Sequence, residues 1–308
     1  MTIPDTMLCL ILSIVLCSTP TISLSNSDDL LPLQNTTKVG ESLPIDPRFG
    51  FEIDCGQSNL PGISVLMNAV HAMTDLALED FDEPLVPIPY SLPNFPEVTI
   101  TPKATARGGA IQTRFIVWGL YQSIVAMTQR KKFRTAVITL RWEAGIVGYI
   151  SITGHNGRIF MGESNHTESL LRRSRIRASN GIDPIAQDSS NATNISNHPI
   201  LNVSFVPVGL ALAGSDVLIT VLYALAYVAP YPSAQAAAGF ILRPSDAEKM
   251  CLAMLGTATT PFFQYRWVIE TLAKIPPYML YQGRFSGATF TMSIAGVEVG
   301  QGQMFKES

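Results

Sequence analysis

The second half of this chain repeats its first half, in register, 152 residues later. Overlaid without a gap, residues 60–152 and 212–304 keep identical side chains at structurally telling places. The matched pairs include Gly62/Gly214, Val65/Val217, Leu66/Leu218, Ala72/Ala224, Ala77/Ala229, Gln112/Gln264 and Arg114/Arg266. They continue through Leu120/Leu272, Met127/Met279, Phe133/Phe285, Ala136/Ala288, Thr139/Thr291 and Gly148/Gly300. A fixed long period is the mark of a duplicated structural unit. It predicts two copies of one supersecondary arrangement, in residues 48–153 and 200–308.

Local patterns give each copy its contents. Phe49, Phe51 and Ile53 alternate as a strand does. Over residues 65–77 the apolar positions fall on one helical face, with Asn68, His71 and Asp75 on the other. A Pro-rich connection follows, with a short edge strand expected at 97–101. A second helix is expected to begin after Gly108–Gly109 and to run to about Gln129. Ala136, Ile138, Leu140 and Trp142 alternate, and a turn at 144–145 closes a β-hairpin. In the second copy a strand at 200–206 precedes a helix at 216–229, with Ser215 as its N-cap. Thr260–Pro261 is expected to open the next helix. Pro276–Pro277 are expected to end that helix early, because a prolyl ring removes a backbone donor. Ala288, Phe290, Met292 and Ile294 then alternate in the phase of their counterparts.

The termini and the middle of the chain point to export. Residues 7–17 are an apolar run whose helical length, about 16 Å, is too short for a hydrocarbon core of about 30 Å. With the small, polar stretch after it, the run predicts a signal peptide over residues 1–25, though no Lys or Arg precedes it. Residues 26–47 read as a polar arm, and residues 154–199 as a long glycosylated linker. Asn-x-Ser/Thr acceptors stand at Asn35, Asn165, Asn191, Asn194 and Asn202, five of twelve asparagines, an excess that suits a secreted glycoprotein. The mature chain then keeps Cys55 and Cys251. In an oxidising compartment these are expected to pair, closing a long loop worth roughly 5 kcal/mol. The competing reading is two buried free thiols.

Hydrophobic residues make up 47% of the chain and charged ones 15%, with a net charge of −3, so nothing attracts nucleic acid or an anionic membrane globally. Residues 206–229 are apolar, but Gly209, Gly214 and Asp216 interrupt them, which argues for a strand and a buried helix rather than a membrane span. On that helix Tyr223 and Tyr227 replace His71 and Asp75 of the first copy. The face is either covered by residues 231–241 or is a binding face. Arg114 and Arg266, at the starts of twin helices, either frame an anion site or pair with local carboxylates. The acidic run 79–83 and the basic run 172–177, which begins with the dibasic Arg172–Arg173, read as solvated segments, the second also as a processing site.

No nucleophile elbow, His-Glu-x-x-His helix, phosphate-binding glycine loop or Cys/His ligand spacing is present in the sequence. No cofactor and no metal are therefore expected. The pattern Arg114-Phe115, Trp118-Gly119-Leu120, Phe133 and a Trp-containing hairpin resembles uncharacterised secreted proteins of filamentous fungi, a resemblance that carries no activity. The expected class is α+β: duplicated strand–helix–helix–β-hairpin units, with antiparallel sheet covered by about four helices. The expected function is a non-enzymatic binding or interaction module for an extracellular ligand or protein. The alternative is a secreted hydrolase with paired carboxylates, which leave no sequence motif.

Overall fold

The computed structural model describes residues 38–40, 43–106, 108–154, 200–257 and 263–307. The signal segment, the acceptors Asn35, Asn165, Asn191 and Asn194, the Arg172–Arg173 pair and the Thr260–Pro261 cap lie outside the described residues.

Four helices carry most of the buried apolar surface. They are α1 (Gly62–Leu78), α2 (Thr113–Gln129), α3 (Gly214–Val228) and α4 (Tyr265–Tyr281). α1 packs on α2, α3 and α4, and α3 packs on α2 and α4, so all four share one core. Because α3 meets other helices and the strand Met250–Gly256 at once, its residues from Val217 to Val228 are all buried. A helix apolar all round requires such an interior position.

Strands β1 (Lys38–Gly40), β2 (Phe49–Asn59), β3 (Pro84–Leu85), β4 (Val98–Ala104), β5 (Ile111–Gln112), β6 (Arg134–Trp142) and β7 (Gly145–Gly154) belong to the N-terminal half. β8 (Leu201–Ala211), β9 (Phe240–Leu242), β10 (Met250–Gly256), β11 (Ser286–Ile294) and β12 (Val297–Lys306) follow. One antiparallel sheet has the order β2-β6-β7-β4, and the other β1-β9-β10-β12-β11-β8; β3 and β5 form a separate ribbon. Every pairing is antiparallel except β1 with β9. The class is thus α+β, and the hairpins lie in two sheets rather than one. α2 lies against β2, β6 and β7, and α4 against β8 and β11, which places the helices between the sheets. On β6, Ala136, Ile138 and Leu140 are buried while the residues between them are partly exposed, as a one-sided sheet requires.

Three local expectations are corrected. The N-cap of α3 is Ala213, with no side-chain cap; Ser215 lies inside the first turn. α4 runs through Pro276 and Pro277 to Tyr281. Burial holds this turn: Pro276 and Met279 are buried, and Tyr278 stacks on Phe205 at 4.5 Å. Asn68 is fully buried rather than on a wet face. Its Nδ2 donates to the carbonyls of Ser64 (2.9 Å) and Phe95 (3.0 Å), and its Oδ1 accepts from the Leu92 N–H (2.6 Å). This amide, with the Ser64 hydroxyl donating to Glu97, pins the Pro-rich connection to α1. Within the arm, Lys38–Gly40 adds a parallel strand beside β9, with Lys38 opposite Phe240.

Candidate functional site

Tyr223 and Tyr227 do not form a binding face. Tyr223 is 2% exposed and packs edge-on against Tyr121, ring centroids 5.9 Å apart. Tyr227 is covered by Tyr231 and Phe240, both from the 231–241 segment. Burial pushes the Tyr223 hydroxyl up to about 12, and Tyr121 is pushed up by burial and by the Asp246 carboxylate that accepts its hydroxyl hydrogen at 2.9 Å. These phenols are structural. They seal α2 and α3 to the loop carrying Asp246.

The two arginines pair locally. Arg114 meets Asp82 at 3.1 Å, and its guanidinium stands 4.9 Å from the Phe115 ring centroid and 5.1 Å from that of Trp142. Arg266 meets Glu270 at 3.6 Å and lies 4.8 Å from the Trp267 ring. Neither is free to frame an anion site. Asp82 of the acidic run is thereby an ion-pair partner.

The expected disulfide is absent, because both thiols are free: Cys55 is exposed and Cys251 buried. Cys55 lies on β2 of the four-stranded sheet and Cys251 on β10 of the six-stranded sheet, with the helix layer between those sheets. Chain connectivity brings the two no closer, and a disulfide needs Cα atoms within about 7 Å. Desolvation by burial raises the Cys251 thiol. Asn202 is the one glycan acceptor among the described residues, and it is exposed on β8, an outer strand of its sheet.

Cys55 opens onto a surface cleft lined by Ile53, Cys55, Met127, Arg130, Lys132 and Arg134. Its geometry follows from the backbone. β2 pairs with β6 regularly as far as Cys55 opposite Ala136, then shifts register, so that Asn59 faces Arg134. Residues 56–58 thus stand opposite Thr135 alone, with Gly56 packed closely on it, and Cys55 beside this bulge shares the cleft with the end of α2. There the helix stops at Arg130, and Lys131 turns the chain with φ +51°. Ile53 and Met127 give the cleft an apolar lining, three cations share it, and no carboxylate lines it. Among the described residues no ion pair reaches Arg130, Lys131, Lys132 or Arg134. The Arg134 Nε is buried with no hydrogen-bond partner there.

Sequence reasoning singles out the basic run 172–177 and passes over this one. The available signal is four cations in the five residues from 130 to 134. That run reads as a solvated turn until β2 is placed beside it. Among the described residues no group of His, Cys, Asp and Glu is placed to hold a metal, and no helix is long and apolar enough to cross a membrane. No family model, curated protein or solved structure matches the chain.

Proposed function

We propose that the chain is a secreted glycoprotein built from two copies of one unit and acting as a non-enzymatic binding module. Duplication is supported by the spacing of elements. β2 and β8, α1 and α3, β4 and β10, α2 and α4, β6 and β11, and β7 and β12 each begin 152 residues apart. Strand order supports it too, since β2-β6-β7-β4 corresponds to β8-β11-β12-β10. Registers agree as well: Phe49 opposite Trp142 corresponds to Leu201 opposite Ile294, and Ala136 opposite Ile152 to Ala288 opposite Met304.

The observation that carries the binding reading is a difference between the copies at one place. In the first, Ile53, Cys55 and Arg134 line the cleft, and Ala126 precedes its Met127. In the second, the residues 152 positions on are Phe205, Pro207, Tyr278 and Ser286, and the Phe205–Tyr278 stack occupies the position. A shared scaffold with a site in one copy only is how duplicated folds separate stability from function. Export is supported by the apolar N-terminal run and by the accessible Asn202 acceptor. Expression of the full chain in a eukaryotic secretory host tests it. The expected product is protein in the medium, with its N-terminus near Asn26 and a glycan on Asn202. Retention in the cell with Asn202 unmodified would overturn export.

A further inference from the structure

We propose that the cleft beside Cys55 binds a phosphate or sulfate group, free or as the ester of a larger ligand. Arg130, Lys132 and Arg134 converge on one small opening with no acid in its lining. Like charges gathered this way repel one another, and an anion relieves the repulsion. The helix dipole accounts for part of the cluster, because cations suit a helix C-terminus. It does not account for all of it. α4 ends in the corresponding turn with Gln282, Gly283 and a single cation, Arg284.

The side chains fit a tetrahedral oxyanion. An arginine fork donates two parallel hydrogen bonds to such a group, and a lysine adds a point charge. Arg134 lines the opening with no ion pair among the described residues, which leaves its charge uncompensated there. Arg130 and Lys132 are exposed and Arg134 half-buried, so an anion can reach all three, and its binding is expected to weaken with salt. The whole chain carries a net charge of −3, so attraction of an anion here comes from this local cluster and not from the overall charge. A single cleft suits one anionic group. A polyanion backbone would need a basic stripe with stacking aromatics.

The site rests on the binding reading above but not on export, so the two fail separately. Cys55 supplies its own reporter, since it lines the cleft and is exposed while Cys251 is buried. The rate at which neutral iodoacetamide alkylates Cys55 is measured on the purified, reduced full chain by peptide mapping. Inorganic phosphate or sulfate at roughly 10 mM is expected to slow it about threefold, while chloride at matched ionic strength leaves it unchanged. The double variant Arg130→Gln/Arg134→Gln, checked for native circular dichroism, is expected to lose that protection. The single variant Arg134→Lys keeps the charge and is expected to retain part of it. Equilibrium dialysis with radiolabelled phosphate gives a second readout independent of the thiol. Parallel arms with a sugar phosphate and a sulfated oligosaccharide identify which ester the site takes. No protection and no dialysis binding overturns the proposal. So does protection that persists in the double variant, or binding to anionic lipid vesicles without binding to either free oxyanion.

Discussion

Gly62 and Gly214 show how a single missing methyl shapes the packing. A Cβ at Gly62 would stand 2.8 Å from Cδ2 of Phe133, and one at Gly214 2.9 Å from Cε2 of Phe285. Each glycine lets a phenyl ring close over the start of its helix. Gly62→Ala is therefore expected to cost about 1–3 kcal/mol through overpacking, read as a lower urea midpoint at unchanged m-value. Charge at the residue scale gives a pH prediction. The Arg48 side chain donates to Asp46 at 3.1 and 2.9 Å, and its backbone N–H donates at 2.9 Å. These bonds hold the Asp46 carboxyl at about 2, below its ordinary 3.8. A depressed carboxyl contributes stability above its unfolded pKa, and the contribution disappears as pH falls through the folded value. The stability difference between wild type and Asp46→Asn should accordingly shrink below about pH 4 and vanish only below about pH 2. In an NMR titration, Arg48→Gln should return Asp46 toward its ordinary range.

Elements show where local rules yield to packing. Proline 276 and 277 have no N–H to give Leu272 and Ala273, yet α4 continues past them because Met279 is buried and Tyr278 stacks on Phe205. Restoring one donor with Pro277→Ala should raise stability by about 1 kcal/mol, the unfolded chain's added freedom offsetting part of the gain. Chemical denaturation measures it. A drop instead would mean that the prolyl ring itself is packed. Strongly patterned elements are legible, since β6 and β11 follow the alternation of Ala136–Trp142 and Ala288–Ile294 and α1 follows its apolar spacing. By contrast, α2 and α4 begin later than expected, at Thr113 and Tyr265, and β5, β9 and β10 carry no pattern that announces them. Asn68 was misread for the reason that Pro276–Pro277 were. Its partners, Leu92 and Phe95, lie more than twenty residues away, and no window along the helix contains them.

At the scale of the whole molecule, the helix layer joins the N- and C-terminal halves through a polar clasp. Tyr121 of α2 donates to Asp246, which also accepts from Gln129 at 3.2 Å, and the Tyr121 ring meets Tyr223 of α3. Tyr121→Phe should cost about 1–2 kcal/mol, since Asp246 then keeps only the exposed Gln129 bond. One core containing residues of all four helices also predicts one unfolding transition. Tryptophan fluorescence, from Trp118 and Trp142 in the first half and Trp267 in the second, should coincide with far-UV circular dichroism. Two separated transitions would show that the halves fold independently. By itself the amino-acid order determined the 152-residue period, the strand phases and the α+β class, because each is written in apolar spacing within short windows. Only the tertiary structure decided that Cys55 and Cys251 stay apart, that Tyr223 and Tyr227 are covered, and that Arg130, Lys132 and Arg134 ring a cleft. Those outcomes are distances between segments far apart in the chain, set by which sheet each strand joins and what the helices bury.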